Sequence, residues 1–250
     1  MQTLGDLVAE GRTRDGTLFS TPERAAPYSY HDFCTNVWKG GNLMRHYGVR
    51  AGMAVAVVVG PKNPEAGAEV GYLVDAPDGL LGAFAATMNG AVADFTPDAE
   101  VDGRALVAPA AWLDRYTLPP GTKALAYGGP SEDPTVAQFE RELWSENPLQ
   151  PPGELAPEDP AVADAEGTYT HADLLAASAQ VVEEFGIDSE TTVALRAPLT
   201  TVGAFVAGVV APMRVGATVV FGTDVSGDVA VATDDSGPEK RVIRPAAVSV

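Results

Sequence analysis

The two halves of this chain of 250 residues carry the same motifs in the same order. In each half a helix-like segment ends at a glycine, an apolar run follows, and a Gly-Ala-Phe segment comes next. The spacing agrees as well, because seven residues lead from Gly48 to Val55 and seven from Gly186 to Val193. The matched segments are Tyr30–Phe33 with His171–Leu174, Gly82–Phe84 with Gly203–Phe205, and Gly90–Val92 with Gly216–Thr218. The repeat restricts the chain to a fold made of two similar units.

Strand-like and helix-like segments alternate in both halves. Ala54–Val59 is a continuous apolar run with β-branched residues, which is typical of a strand buried on both faces. The predicted helices are Leu4–Val8, Ser29–Tyr47, Leu73–Met88 with a break near Pro77, Pro109–Tyr116, Thr135–Trp144, Thr170–Phe185 and Thr201–Val215. The other predicted strands are Thr17–Ser20, Ala26–Tyr28, Ala91–Phe95, Ala105–Val107, Ala124–Tyr127, Thr192–Ala197, Ala217–Phe221, Val229–Ala232 and Arg241–Ile243. This alternation predicts an α/β fold of two similar α/β units with largely parallel sheets, related by a pseudo-two-fold.

A proline-rich acidic segment separates the two halves. Asn147–Pro160 contains five prolines and three acidic residues, a composition typical of a linker. We therefore predict a first α/β unit over residues 1–147, a linker over 148–160 and a second α/β unit over 161–250.

The charge balance of the chain is strongly acidic. Asp and Glu total 34 against 16 Lys and Arg, the formal net charge is −18, and only four of the bases are lysine. Such a surface is typical of salt-accumulating organisms, because charge repulsion is screened beyond about 3 Å in 1 M salt. The sequence thus predicts a haloarchaeal protein, with an acidic mesophilic protein as the alternative. Without a basic stripe, we expect neither nucleic acid nor an anionic membrane as a partner.

Residue usage excludes several kinds of site. Cys34 is the single cysteine, so an intrachain disulfide and a cysteine-clustered metal site are both excluded.

No apolar run approaches the ~20 residues of a membrane span, and the N-terminus lacks a signal segment. We therefore predict a cytoplasmic protein.

No metal site is predicted either. His31 and His46 lie too far apart along one helix to share a metal ion. Asp75 and Asp78 are predicted to lie in an exposed loop. The remaining acidic cluster is predicted to be a solvating face and consists of Asp224, Asp228, Asp234 and Asp235.

Two sets of phrases resemble the N-terminal region of the AMP-dependent acyl-CoA synthetases and ligases, the acyl-adenylate-forming enzymes. An opening family phrase of the type T-Y-x-E-L, N-x-L-A, G-V-x-x-G-D-x-V-A and A-x-x-x-A-G-A is similar to Tyr28–Phe33, Asn42–Leu43, Gly48–Ala56 and Ala86–Val92. A later phrase of the type G-V-x-x-T-H-x-N-L, P-L-x-H-x-x-G and P-L-x-x-G-A-x-x-V is similar to Gly167–Leu174, Pro198–Gly203 and Pro212–Val220. The resemblance covers about residues 1–225 and implies the N-terminal-domain fold of that family.

The departures from the family are informative. Where the family has a Ser/Thr/Gly-rich ATP loop ending in Pro-Lys-Gly, this chain has Glu158–Glu166, with four carboxylates and no lysine. Thr201 stands at the position of the family's acyl-pocket histidine. The later nucleotide motifs and the C-terminal domain with its catalytic lysine have no counterpart. The resemblance therefore implies a shortened, degenerate relative.

The resulting site prediction is sparse. We predict no catalytic residue, no metal and no cofactor, and we name Thr170, His171, Thr201 and Gly203 as candidates for contact with a ligand. The favoured function is a non-catalytic binding or regulatory module, which would hold an acyl or CoA-like small molecule, a protein partner or a second copy of the chain. Two alternatives stay open: an AMP-dependent ligase that uses unfamiliar residues or a partner chain, and a purely structural interaction protein.

Overall fold

The computed structural model describes residues 1–235 and 237–250. Within them the helices are α1 (Leu4–Gly11), α2 (Tyr30–His46), α3 (Asp78–Thr87), α4 (Phe139–Leu143), α5 (His171–Phe185), α6 (Val202–Phe205) and α7 (Ala211–Val215). A π-helical turn, Val206–Val210, joins α6 to α7, and short 3-10 helices cover Ala110–Arg115 and Pro245–Ala247. The strands are β1 (Thr17–Ser20), β2 (Tyr28–Ser29), β3 (Ala54–Val57), β4 (Val92–Asp94), β5 (Ala105–Pro109), β6 (Lys123–Tyr127), β7 (Ala137–Gln138), β8 (Pro160–Ala163), β9 (Thr168–Thr170), β10 (Thr192–Leu195), β11 (Thr218–Val220), β12 (Val229–Val231) and β13 (Val242–Ile243).

The strands form two mostly parallel sheets with matching strand orders. The first sheet runs β7-β6-β5-β3-β4-β8-β9 and the second runs β13-β12-β10-β11-β1-β2. Apart from the edge strand β7, each position in one sheet has a counterpart in the other. The predicted α/β class with two largely parallel sheets is confirmed.

The two halves exchange a hairpin. The β1–β2 hairpin lies in the first half of the chain but pairs with β11 of the second sheet, where Phe19 is opposite Val219. The β8–β9 hairpin comes from the second half and pairs with β4 of the first sheet, where Val162 is opposite Ala93. The division into units over 1–147 and 161–250 stays a prediction, but the strand pairing crosses it in both directions.

The hydrophobic core also spans both halves. The central strands are buried because their apolar runs lie between helices, and every residue of β5 is buried. A series of aromatic contacts crosses from one half to the other, with ring centroids 5.0 Å apart for Phe19 and Phe33, 5.9 Å for Phe33 and Phe84, and 5.5 Å for Phe84 and Phe205. Tyr30 adds a polar link, since its buried hydroxyl donates to the Ala217 carbonyl at 2.7 Å.

Four predicted helices differ in extent from those observed. Residues 73–77 are not helical, and α3 begins at Asp78, directly after Pro77. In the segment predicted as helix Thr135–Trp144, Ala137 pairs with Leu125 in an edge strand, and only Phe139–Leu143 is helical. Between Pro109 and Tyr116 the helix is 3-10, over Ala110–Arg115. The predicted helix Thr201–Val215 contains the π-helical turn immediately before Ala211-Pro212, where proline has no N–H to donate to the preceding turn.

In the part of the chain that the structure describes, no helix combines the length and the apolar character needed to cross a bilayer.

Candidate functional site

A pocket lies at the carboxyl ends of three parallel strands of the second sheet. It has a volume of about 410 Å³ and is lined by Glu166, Pro198, Thr201, Thr233, Arg244, Pro245 and Ala246. Pro198 follows β10, Thr233 follows β12 and Arg244 follows β13 directly. In open α/β sheets, ligands bind in the crevice outside the carboxyl ends of the strands. The topology therefore makes this pocket the candidate functional site.

The first turn of α6 forms one wall of this pocket. Thr201 is the N-cap residue, and its hydroxyl accepts a hydrogen bond from the Ala204 N–H at 3.4 Å. Gly203 lies against the 3-10 helix at Pro245, where a Cβ atom would lie only 2.2 Å from the Pro245 carbonyl oxygen. A larger residue than glycine would thus push Pro245 away and change the shape of the pocket.

The turn between β8 and β9 forms the opposite wall and is closed by one carboxylate. Asp164 Oδ1 accepts from the Glu166 N–H at 2.9 Å and from the Gly167 N–H at 3.2 Å, and the Asp164 N–H donates to the Gly167 carbonyl at 3.0 Å. Asp164 Oδ2 accepts from the Val202 N–H at 2.8 Å. Three backbone N–H groups of the turn and of the start of α6 are therefore already bound by the protein's own carboxylate and are not free to bind a phosphate group.

The pocket offers little charge to a ligand. Its single base is Arg244, whose Nη2 forms an ion pair with Asp235 Oδ2 at 2.5 Å. Glu166 is the single acid among the lining residues, and the uncharged polar side chains are the hydroxyls of Thr201 and Thr233. Such a lining suits an apolar group better than a triphosphate.

Of the four predicted site residues, Thr201 alone lines the pocket. Gly203 sets the distance between α6 and Pro245. Thr170 is the N-cap of α5, where its hydroxyl accepts from the Asp173 N–H at 3.2 Å. That any of them contacts a ligand stays a prediction.

His171 has a structural role in the fold. It is fully buried, and its Nδ1 accepts the Leu4 N–H at 3.2 Å, which ties α1 to α5. This hydrogen bond places the ring proton on Nε2, which is buried and has no hydrogen-bond partner among the described residues. Burial lowers the pKa of His171, although the nearby Asp159 and Asp6 oppose that shift.

A second polar cluster, which the sequence did not reveal, lies beside α3 and α4. Asp78 was predicted to be exposed, but only 12% of its side chain is exposed, and its Oδ2 lies 3.3 Å from Lys62 Nζ. Lys62 also forms an ion pair with Glu140 Oε1, and the Asp75 carboxylate accepts the Lys62 N–H at 3.0 Å. These residues come from three separate segments, so no local sequence pattern could have brought them together. We refer to Lys62, Asp78 and Glu140 as the ion cluster.

The described residues, 1–235 and 237–250, contain no group of three or more His, Cys, Asp or Glu side chains placed to share a metal ion. Within the acidic segment near the C-terminus, Asp228 accepts the Thr192 N–H at 2.8 Å and Asp235 pairs with Arg244.

Solved structures share this fold. The N-terminal domain of FACL13 from Mycobacterium tuberculosis matches 93% of this chain and 63% of its own, with a TM-score of 0.67 and 12% identity. A benzoate CoA ligase from Burkholderia xenovorans LB400 matches 93% of this chain and 50% of its own, with a TM-score of 0.69 and 15% identity. The anthranilate CoA ligase AuaEII, in complex with anthranoyl-AMP, matches 92% of this chain and 49% of its own, with a TM-score of 0.70 and 15% identity.

These matches bear on the fold alone, because the sequence identities are low. The chain spans between 49% and 63% of the length of these solved proteins. No protein-family model matches the sequence, and no curated protein matches it. The chain has the fold of the N-terminal domain of acyl-CoA ligases and other adenylate-forming enzymes, as the sequence resemblance implied.

Proposed function

We propose that this protein is a non-catalytic relative of the adenylate-forming enzymes, which binds an acyl group in the pocket at the carboxyl ends of β10, β12 and β13. The observation that carries the proposal is the position of Asp164. Its carboxylate accepts hydrogen bonds from the N–H groups of Glu166, Gly167 and Val202, which are therefore not free to bind a phosphate.

Electrostatics support the same conclusion. Phosphate binding in proteins uses convergent N–H donors and usually a cation. In this pocket Arg244 is held by Asp235, and Glu166 adds a negative charge at the edge. A triphosphate would meet repulsion here, whereas an uncharged acyl group would replace water on a largely apolar wall.

The acyl class is favoured by the shape and the chemistry of the lining. Pro198, Pro245 and Ala246 supply apolar contact, and Thr201 and Thr233 supply hydroxyl donors for one carbonyl oxygen. The anthranilate ligase AuaEII was solved with anthranoyl-AMP, an acyl adenylate, on the same fold. For this chain we propose binding of the acyl part of such a ligand and not of its AMP part.

A thermal-shift experiment on the full chain tests the binding claim. Octanamide and benzamide serve as uncharged acyl probes, with coenzyme A alone as a separate probe. At ten times its Kd a ligand stabilises the fold by about 1.4 kcal/mol, which corresponds to a rise in Tm of about 3–6 °C for a protein of this size. We expect that rise with at least one amide.

The Ala246→Phe variant tests whether the rise in Tm comes from binding in this pocket. The Ala246 side chain lines the pocket and is exposed, so a phenyl ring there fills the site without disturbing the core. We expect this variant to lose the shift and the control Ala111→Phe, an exposed position outside the pocket, to keep it. A chain whose Tm responds to none of the three probes would favour the purely structural interpretation. A rise in Tm with coenzyme A but with neither amide would mean that the protein recognises coenzyme A and not the acyl group.

A further inference from the structure

The second sheet lacks one strand that the first sheet has. In the first sheet β7 pairs with β6, and α4 follows β7 directly and contacts both α2 and β6. Strand β13 takes the position of β6 in the second sheet, but β13 is itself the edge strand. Among the described residues, no strand pairs with its outer side. The internal repeat therefore leaves one position of the second half without its counterpart.

In the first half this position is closely packed. The β7–α4 segment, Ala137–Leu143, places the buried side chains of Phe139 and Leu143 beside α2. Leu143 Cδ1 lies 3.6 Å from the point where a Cβ atom on Gly40 of α2 would stand. The gap between α2 and the edge strand β6 is thus closed by an extended stretch and two apolar side chains.

In the second half the same gap is an open groove. Helix α5 is the counterpart of α2, because the two helices lead into β10 and β3, which lie at equivalent positions of the sheets. Between α5 and β13 lies a cavity of about 140 Å³, whose apolar lining is Ala177, Val181, Phe185, Ile243 and Val248. An apolar cavity of about 150 Å³ holds a benzene molecule. The groove therefore has room for one phenyl or leucine side chain.

The edge of β13 also offers free backbone groups. The Ala230 N–H donates to the Arg241 carbonyl at 2.9 Å and the Ala232 N–H donates to the Ile243 carbonyl at 3.2 Å, so residues 241 and 243 face β12. Successive residues of a strand direct their backbone groups to opposite sides, so the Val242 N–H and carbonyl face outward. Within the described part of the chain, neither group has a backbone partner. Such an edge pairs readily with an added strand.

The charges of the groove favour a basic segment as its occupant. The charged residues that line it are Glu184 and Arg244. Arg244 forms an ion pair with Asp235, whereas Glu184 is exposed and forms no ion pair with any described residue. The net charge of the chain, −18, attracts a basic partner at longer range.

A second copy of the chain fits this edge poorly. Two β13 strands paired about a two-fold axis at Val242 would place Lys240 of each copy opposite Arg244 of the other. Like charges directly opposite each other destabilise a strand pair. Each copy would also bring its own net charge of −18 to the contact. The occupant favoured by the charges is therefore a different chain.

From these observations we propose that the groove between α5 and β13 is a docking site for an extended, basic segment of another protein. The segment adds to the outer edge of β13 as a parallel strand, as β7 adds to β6, and exchanges hydrogen bonds with the Val242 backbone. One phenyl or leucine side chain of the segment enters the cavity, and a base beside it faces Glu184. This inference does not depend on acyl binding at the strand ends.

Calorimetric titration of the full chain with a peptide tests the proposal. The probe has the sequence of Pro134–Ser145, which includes the segment that fills the equivalent gap, with Glu140→Lys and Glu142→Lys to make it basic. We expect one peptide to bind per chain with a Kd below about 1 mM. The control peptide has the same charge but carries Phe139→Ser and Leu143→Ser, and it should bind at least tenfold more weakly because it lacks the apolar anchors.

Two variants of the chain test whether the peptide binds at this groove. Val242→Pro removes the outward N–H, and an edge strand tolerates proline where the N–H faces solvent. Ala247→Phe fills the groove from an exposed position on the 3-10 helix Pro245–Ala247, and Ala111→Phe, exposed on the other 3-10 helix, is its matched control. We expect at least tenfold weaker binding in Val242→Pro and Ala247→Phe and unchanged binding in Ala111→Phe.

Circular dichroism checks that each variant is folded, and Ala247→Phe provides the test if Val242→Pro does not fold. The proposal would be overturned by a basic peptide that does not bind, by equal binding of the control peptide, or by native affinity in either folded groove variant. Sedimentation tests the remaining occupant. A native chain that is dimeric, and monomeric after Val242→Pro, would assign the edge to a second copy and contradict docking of another protein.

Discussion

Asp164 Oδ2 accepts a hydrogen bond from the Val202 N–H at 2.8 Å, and this contact joins a turn of one sheet to the helix that follows a strand of the other. The same carboxylate closes its own turn through Oδ1. One side chain thus fixes the β8–β9 turn, which contributes Glu166 to the candidate pocket, and supports the first turn of α6. The proposed loss of nucleotide binding depends on this arrangement.

Replacement of Asp164 should therefore cost stability. Asp164→Ala leaves three N–H groups without their acceptor, and a lost acceptor for a buried or half-buried donor typically costs about 1–3 kcal/mol. We expect the urea midpoint of unfolding to fall accordingly. Glu158→Ala, an exposed residue of the same segment, is the matched control and should stay within about 0.5 kcal/mol. Identical midpoints for Asp164→Ala and the native chain would mean that these hydrogen bonds do not hold the turn.

Removal of the Tyr30 hydroxyl should weaken the contact between the two halves. The hydroxyl of Tyr30 is buried and lies 2.7 Å from the Ala217 carbonyl and 3.2 Å from the Pro212 carbonyl. Tyr30→Phe leaves both acceptors without this donor and should lower the free energy of unfolding by about 1–2 kcal/mol. Denaturant titration measures the change, with Tyr116→Phe, on a half-buried ring, as the control. A stability loss no larger than that of the control would argue against the polar link.

His171 should make the fold sensitive to acid. Its pKa is lowered in the folded state by burial, so the unfolded chain binds its proton more readily. The stability it confers is present above the unfolded pKa of about 6.5 and is lost as the pH falls below it. We expect the free energy of unfolding of the native chain, relative to that of His171→Gln, to decline between pH 7 and pH 5. The raised pKa of Asp78 acts in the opposite direction, but it is common to both proteins and cancels in the difference. Parallel pH profiles would contradict a buried neutral His171.

Salt should stabilise the fold. A net charge of −18 implies self-repulsion, which added salt screens. We expect Tm to rise between 20 mM and 1 M KCl, and a gain of about 1 kcal/mol would raise it by about 2–4 °C. Sucrose at matched osmolality separates screening from solvent exclusion. A Tm that stays flat or falls across this KCl series would count against adaptation to high salt.

Local features of the sequence predicted many of the elements, and long-range pairing explains most of what was missed. The buried run at Ala54–Val59 and the glycine at Gly186, with a φ of 58° at the C-cap of α5, correctly indicated a strand and a helix end. Strand β8 was not predicted as a strand, because Pro160–Ala163 borders the proline-rich segment and pairs with the distant Ala93.

The sites were harder to predict than the fold. The pocket at the strand ends combines Glu166 with Pro245, which lie far apart in the sequence, and Thr201 alone among the candidates lines it. The ion cluster joins Lys62, Asp78 and Glu140, which no periodicity links. Burial of a carboxylate such as Asp78 depends on packing by other segments, so composition and spacing predicted exposure instead.

The exchange of labelled pyrophosphate into ATP tests the central claim most directly. The purified chain is incubated with Mg-ATP, labelled pyrophosphate and, in turn, benzoate, anthranilate or octanoate. Because Asp164 holds the N–H groups of Glu166, Gly167 and Val202 and Arg244 is paired with Asp235, the account predicts no exchange above that of a protein-free control. Carboxylate-dependent exchange that disappears in the Ala246→Phe variant would contradict it and identify the protein as a working AMP-dependent ligase.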